Sequence, residues 1–324
     1  MRKLFIFSML FFSIVTIASA KIVWMSDWEI FVMEDDGSKR QRLTYNKVYD
    51  GTPRWSPNGK FIAFDRAQER VTNEQNHDLF IMNRDGTQER QLTAYSGLDV
   101  NPSWSPDSKY LSFSSSRSGA WNIHVIDIET QAVRELRRNM NGHTSGQSAW
   151  SPDGRHIAYV SKRRNPYEES IYIVDTEGQN RRLFAKPMVA NYASLRWSPD
   201  GKQLLYCETK YGNNNDILSN KIVIRTLDGL LVKELEIPIA KWQILTACWM
   251  GMHHVLIDAT EDYKAPDGGQ SDIHRYNIIT DEIVNLTNSP RDNDGFPDWI
   301  DDKALAVVPV GKLTIRWAEL KQTN

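Results

Sequence analysis

The chain has 324 residues, 40% of them hydrophobic and 25% charged, with 10% aromatic residues and 11 tryptophans; this is the make-up of a folded globular protein and excludes intrinsic disorder. A formal charge of −2, with no Lys/Arg run longer than three, gives no electrostatic ground for nucleic-acid binding. Two cysteines exclude a disulfide scaffold and a four-thiolate zinc site.

The first twenty residues read as an export signal. Arg2 and Lys3 open it, an apolar run from Leu4 to Ile17 follows, and Ala18-Ser19-Ala20 supplies a small-residue cleavage site. The run falls short of the ~20 apolar residues of a spanning helix. Lys21 rather than Cys follows it, so neither an anchor nor a lipidated terminus is expected. Losing Arg2 and Lys3 from 39 basic residues, against 41 acidic, takes the formal charge from −2 to −4. The mature chain is expected to be periplasmic or secreted, with no membrane insertion after cleavage.

From Lys21 onward the chain repeats. The mature start opens on a strand at Ile22 to Met25, a second at Ile30 to Met33, the turn Asp36-Gly37 and a short strand ending at Leu43. Then Pro53-Arg-Trp55-Ser-Pro-Asn-Gly-Lys-Phe-Ile-Ala-Phe64 returns as Pro102-Ser-Trp104-Ser-Pro-Asp-Ser-Lys-Tyr-Leu-Ser-Phe113. Further copies surround Trp150 and Trp197; those around Trp249 and Trp299 keep the Trp but lose the Ser-Pro-Asp-Gly turn. Within each copy the Trp segment (a) is a buried strand, Ser-Pro-Asp-Gly a tight turn, and the apolar run after it strand b. Strand c follows a variable connection (Leu79 to Met82, Ile123 to Ile126, Ile171 to Val174, Ile222 to Ile224, Ile273 to Tyr276). Strand d ends on Leu92, Leu136, Leu183, Leu235 and Leu286. Each unit of ~48 residues is the size and content of a propeller blade.

The start lacks a Trp strand and Trp299 supplies a spare one. The expected fold is therefore all-β: a six-bladed β-propeller of four-stranded antiparallel blades over 21–302, closed by the N-terminal strands pairing with the last Trp strand, which hides the edges. A seventh, incomplete blade is the competing count. Residues 303–324 are expected to form an extension packed on the closing blade.

The unit Pro-x-Trp-Ser-Pro-Asp-Gly-Lys-x-Ile-Ala-Phe, with Glu29-Ile-Phe-Val-Met33 and Arg90-Gln-Leu-Thr93, resembles the repeat of TolB-type β-propellers and, more loosely, WD-repeat blades. The resemblance covers about 21–302. It implies a periplasmic propeller acting through protein contacts. TolB carries a separate α/β domain ahead of the propeller, and this chain is expected to lack it, because the first strand begins two residues after the cleavage site. The same repeats occur in prolyl-oligopeptidase-like peptidases, whose attached hydrolase domain is not found here.

The sequence contains no Gly-x-Ser-x-Gly elbow, no His-Glu-x-x-His and no phosphate loop. Gly142-His-Thr-Ser-Gly146 reads as a turn. His124 and His274 stand where other copies have Phe31, Phe80 and Tyr172, and are read as replacing an aromatic in packing. His253-His254 reads as an exposed turn. Asp292-Asn-Asp-Gly295 lacks calcium-loop spacing and reads as turn chemistry. Cys207 and Cys248 are read as small buried thiols, with a disulfide as the alternative. No catalytic residue, metal or cofactor is assigned.

Binding is expected on the face shared by the d–a and b–c connections, because long loops on a rigid scaffold are where recognition sits. The connections Asp65 to His77, Cys207 to Asn220 and Ala259 to Ser271 are long, and the last two carry Tyr211 and Tyr263 in adjacent blades. Five residues before each Trp stand Asp50, Asp99, Ser145, Tyr192, Ile244 and Asp294. The three Asp fall on consecutive blades near the channel mouth, an acidic arc suited to a cation, an amine or a basic peptide; the structural alternative is pairing with Arg66 or Arg117. Trp28 and Trp121, each just before a c strand, form candidate platforms. The expected function is an exported, non-enzymatic scaffold for an envelope or extracellular protein or peptide. The alternatives are a carbohydrate-binding propeller, or a hydrolase or lyase acting on an extracellular polymer through two carboxylates.

Overall fold

The computed structural model describes residues 21–302 except 69–75, 137–142, 165–166, 189, 213–216, 237–241, 261–268 and 290–291. The expected export signal and the extension at 303–324 lie outside the described residues. Twenty-four strands form six four-stranded antiparallel sheets. Blade 1 combines β1 (Ile22–Ser26), β2 (Glu29–Met33) and β3 (Gln41–Arg42) with β24 (Asp294–Trp299). Blade 2 is β4 (Asp50–Trp55), β5 (Phe61–Ala67), β6 (His77–Asn83) and β7 (Arg90–Gln91). Blade 3 is β8 (Asp99–Trp104), β9 (Tyr110–Ser115), β10 (Asn122–Asp127) and β11 (Val133–Glu135). Blade 4 is β12 (His143–Trp150), β13 (His156–Arg164), β14 (Tyr167–Asp175) and β15 (Arg182–Met188). Blade 5 is β16 (Asn191–Trp197), β17 (Gln203–Tyr211), β18 (Ile217–Thr226) and β19 (Leu231–Glu236). Blade 6 is β20 (Gln243–Met250), β21 (His254–Thr260), β22 (Ser271–Asn277) and β23 (Ile283–Asn285).

The expected closure is realised. In blade 1, Ile22 pairs with Trp299 and Ser26 with Asp294. The Trp24 indole donates to Asp294 Oδ1 at 3.1 Å, and the Ile300 amide to the Lys21 carbonyl at 3.0 Å. The inner strands β4, β8, β12, β16, β20 and β24 pack in that order round the channel, and β24 meets β4.

The hydrophobic core is six clusters, one between each pair of blades, and the repeated Trp explains them. Trp55 packs on Val23, Ile30, Val32 and Leu43 of blade 1; Trp197 packs on Ala158, Ile171 and Ile173 of blade 4. Each Trp thus wedges against the preceding blade. A side chain of this size buries roughly 200 Å2, worth about 5 kcal/mol as an upper bound. The Trp104 and Trp197 indoles complete the wedge by donating to carbonyls of Arg54 and Ala149 in the preceding blade, both at 3.0 Å. No blade can bury its faces alone, which is why the unit recurs.

The Ser-Pro-Asp-Gly turn has one geometry in four blades. The Ser56, Ser105, Ser151 and Ser198 hydroxyls each accept the amide opening strand b, at 2.9–3.0 Å, and each donates to the acceptor oxygen two residues on, Asn58, Asp107, Asp153 or Asp200. Asp153 and Asp200 are held below the ordinary carboxylate value, first by that serine bond.

Every inner strand carries a β-bulge. At Thr52, Asn101, Ser194 and Phe296, each three residues before its Trp, φ lies between 45° and 57°. The bulge turns an amide toward the preceding blade: Ser194 donates to Gln147 Oε1 at 2.6 Å and Phe296 to Asp258 Oδ2 at 2.9 Å. The channel wall is stitched blade to blade.

His124 and His274 are buried as aromatic replacements, His124 at 5.8 Å from Phe113 and His274 at 4.8 Å from Trp242. Burial lowers His124 below its ordinary value. Cys207 and Cys248 are buried free thiols; burial pushes Cys207 up to about 12.

Three expectations are corrected. Of the expected turn at 142–146, Gly142 lies outside the described residues and His143 to Gly146 are strand: β12 begins at His143 because β13 is long enough to pair with it, His143 opposite Arg163 and Gly146 opposite Val160. Leu183 does not end its strand. β15 runs on to Met188, and Ala185, opposite Ile171, takes the buried place that Leu136, Leu235 and Leu286 hold elsewhere, leaving Leu183 exposed. The connection from Cys207 to Asn220 is mostly hairpin, paired up to Tyr211 opposite Ile217.

Candidate functional site

The d–a and b–c connections gather on one face, as the meander requires. The three Asp stand at equivalent places on consecutive blades, at the first residues of β24, β4 and β8, and all are buried. Asp50 takes Arg66 Nε at 2.5 Å, Arg66 Nη2 at 2.9 Å and Asn46 Nδ2 at 2.6 Å. Asp99 takes Arg117 Nη2 and the Ser115 hydroxyl, the latter at 2.6 Å. Both arginines belong to the same blade as their Asp, not to a neighbouring one, and lie over that blade's Phe64 or Phe113. Asp294 holds the Trp24 indole. Burial raises Asp50 and Asp294 above the ordinary carboxylate value, against the bonds they accept. The structural pairing with Arg66 and Arg117 is what the geometry shows; these carboxylates brace the rim and are not presented on it.

Exposed aromatic side chains share this face. Trp28 is 56% exposed and sits in the two-residue β1–β2 turn with φ 72°, after Asp27 at 44°. This is the backbone of a turn that favours Asp-Gly. Its carbonyl accepts the Asp50 amide at 2.8 Å, and the partly buried Trp121 does the same for Ser145 at 2.7 Å. Trp28 and Trp121 are in blades 1 and 3, so the structure does not bring them together. Tyr211 is 38% exposed at the end of β17; Tyr263 lies outside the described residues.

Sequence reasoning missed the polar crest of blades 4 and 5. Glu169, fully buried, accepts Lys162 Nζ at 2.8 Å, the Tyr167 hydroxyl at 2.5 Å and the Tyr192 amide at 2.6 Å. Tyr167, 40% exposed, also reaches Asn191 of blade 5. Burial and then the Glu169 bond raise its hydroxyl, with Tyr211 adding to the shift. Lys162 opposite Glu169 and Glu208 opposite Lys221 on paired strands were the available signal.

At the other end the channel opens into a cavity of about 450 Å3. All six repeat tryptophans line it, as do the residues just before them: Arg54, Ser103, Ala149, Arg196, Cys248 and Asp298. Strand alternation puts these residues on the face opposite their Trp, where Ala149 and Cys248 also pack against the following blade. Arg54 Nη1 donates to the Pro53 and Phe296 carbonyls at 2.7 and 3.3 Å, and Arg196 Nη1 to the Leu195 carbonyl at 2.8 Å. Asp298 accepts the Trp55 amide at 2.8 Å. Burial, and then the like charge of Arg196, lower Arg54 to about 10, and burial raises Asp298. Among the described residues no group of three His, Cys, Asp or Glu is arranged to hold a metal ion.

Six antiparallel blades round a wedged, bulge-stitched channel define a β-propeller with one uniform and one uneven face. The chain belongs to the TolB beta propeller domain family, whose model matches residues 29–244. Among solved structures, TolB from Acinetobacter baumannii is similar at TM-score 0.60 and 17% identity, over 87% of this chain and 66% of that one, so the chain spans just under two thirds of that protein. A chain of a nidogen/laminin complex is similar at TM-score 0.64 and 10% identity, over 86% of this chain and 97% of that one. A puromycin-hydrolyzing peptidase from Mycobacterium tuberculosis is similar at TM-score 0.55 and 16% identity, over 83% of this chain and 44% of that one. No curated protein matches the sequence.

Proposed function

We propose that the protein is an exported, non-enzymatic scaffold whose uneven face binds a protein or peptide of the envelope or the extracellular space. The observation that carries this reading is that large aromatic side chains are held exposed on that face: Trp28 at 56%, Tyr45 at 76%, Tyr167 at 40% and Tyr211 at 38%. Rigid aromatics with a polar tip are the side chains that anchor protein interfaces. Trp28 adds weight, because a bulky residue in the left-handed region is strained, and such strain marks functional positions. In this reading Asp50, Asp99 and Asp294 position the rim, Trp28, Tyr167 and Tyr211 touch the partner, and Trp121 flanks the contact.

Three further points support it. Family membership fits a binding scaffold. The similar chain of nearly equal length comes from a two-protein complex. In the peptidase the matched part is less than half of the chain. Among the described residues no helix is long and apolar enough to cross a membrane; export rests on the pattern of residues 1–20.

Chemical cross-linking in the native envelope and culture fluid tests the reading, with the wild-type protein beside a Trp28→Ala/Tyr211→Ala variant. A protein captured saturably by wild type and lost by the variant at unchanged melting temperature is the expected result. Equal capture by both overturns the assignment of the face. Binding of polysaccharide instead of protein transfers the aromatics to glycan recognition.

A further inference from the structure

The cavity at the opposite end of the channel is independent of the uneven face. The six residues before the tryptophans form a ring in blade order: Asp298, Arg54, Ser103, Ala149, Arg196, Cys248. Arg54 in blade 2 and Arg196 in blade 5 are three blades apart, so they face each other across the channel. Among the described residues neither makes a direct ion pair; their Nη1 atoms are spent on backbone carbonyls, and Arg196 Nε is buried with no hydrogen-bond partner.

The two arcs between the arginines differ. One holds Cys248 and Asp298, whose carboxylate accepts the Trp55 amide at 2.8 Å. The other holds only Ser103 and Ala149. Ser103 Oγ accepts the Trp150 amide at 3.4 Å, the same place in the frame that Asp298 takes for Trp55. At the level of the ring two positive charges therefore face one negative charge, and the arc without an acid is lined by small side chains. Asp301 stands at the outer rim, exposed.

We infer that this arc is a binding site for a carboxylate-bearing ligand, held between the opposed guanidinium groups of Arg54 and Arg196 beside Ser103 and Ala149. Guanidinium groups match carboxylates in shape and charge and bind them through paired N–H donors. A cavity of about 450 Å3 has the size of a small-ligand pocket. The tryptophan walls bury the aliphatic part of such a ligand and exclude water, which strengthens the charge contact. The carboxylate comes either from a free dicarboxylic acid or from an acidic peptide segment.

Because six tryptophans line the cavity, titration of the purified protein followed by tryptophan fluorescence and calorimetry reads occupancy. The probes are succinate, a tripeptide ending in Asp, and inorganic phosphate. Saturable 1:1 binding of succinate or of the tripeptide is expected, and which one binds identifies the source. Arg196→Gln and Ser103→Asp should each weaken it at least about tenfold. Ser103→Asp keeps both arginines and an acceptor for the Trp150 amide while supplying the missing acid from the protein, so it decides the matter even if Arg196→Gln lowers the melting temperature. No saturable binding of either carboxylate overturns the proposal. So does wild-type affinity in Ser103→Asp, and so does phosphate binding as tightly as the carboxylates.

Discussion

Blades 2 and 3 and blades 4 and 5 share one base and differ at the top. In all four the Trp wedge, the serine-capped turn and the inner bulge recur with nearly the same distances. At the other end, blades 2 and 3 close with a buried Asp–Arg pair, Asp50 with Arg66 and Asp99 with Arg117. Blade 5 puts Tyr192 in that place, edge-on to Tyr206 at 5.4 Å, and blade 4 puts Ser145 there beneath a longer hairpin. The difference shows what the ring demands. The contacts that join the blades at the base recur; those at the top, such as Tyr167 to Asn191 and the Tyr192 amide to Glu169, differ with each hairpin and are free to become a recognition surface.

Substitutions test that division, and the largest effect is expected at the base. Trp104→Ala should cost about 3–5 kcal/mol in chemical denaturation, by emptying the wedge between blades 2 and 3. A loss below about 1 kcal/mol would mean that the wedge is dispensable. Asp99→Ala strands Arg117 at a largely buried site and should cost about 3 kcal/mol, whereas Ser145→Ala, at the equivalent place in blade 4, should cost about 1 kcal/mol.

Asp258 provides a pH test. Burial raises it to about 6, against bonds from Thr246 and Phe296. The folded state keeps a proton that the unfolded carboxyl has already lost at about pH 4. Its contribution is therefore fully present below the unfolded value and is lost as pH rises through about 6, a change on the order of 2–3 kcal/mol. Denaturation midpoints of Asp258→Asn should lack this fall, while other buried acids leave their own slope in both proteins. Identical pH profiles would contradict the burial argument.

The smallest effects are at Trp28 and Tyr211, on the uneven face. Trp28→Gly relieves the left-handed turn and should raise stability by about 0.5–1 kcal/mol while weakening partner capture. Tyr211→Ala should stay within about 0.5 kcal/mol of wild type.

The base was legible in the sequence because its physics is local and repeated. A Trp every ~48 residues, a Ser-Pro-Asp-Gly turn and the absence of a first Trp strand sufficed for six blades and their closure. Even His124 was readable, since it stands in a column of aromatics. The tops were not. The β13–β14 and β17–β18 hairpins rise on Lys, Arg, Glu and Asn, whose pairing leaves no hydrophobic alternation, so residues 207–220 looked like loop. Leu183 looked like a strand end because a Leu marks that place in other blades, and only the register reveals Ala185 there. The burial of Asp50 and Asp99 depends on arginines 16 and 18 residues away. The opposed Arg54 and Arg196 become visible only once the ring places blades 2 and 5 across from each other.

The uneven face is the one expected to recognise the partner, while the uniform face holds the ring together. Hydrogen exchange of the protein with and without its captured partner measures this directly. New protection is expected at the β1–β2 turn and at the upper ends of β13–β14 and β17–β18, with the four serine-capped turns unchanged. Protection confined to those turns, with the crest of blades 4 and 5 unaltered, would contradict it.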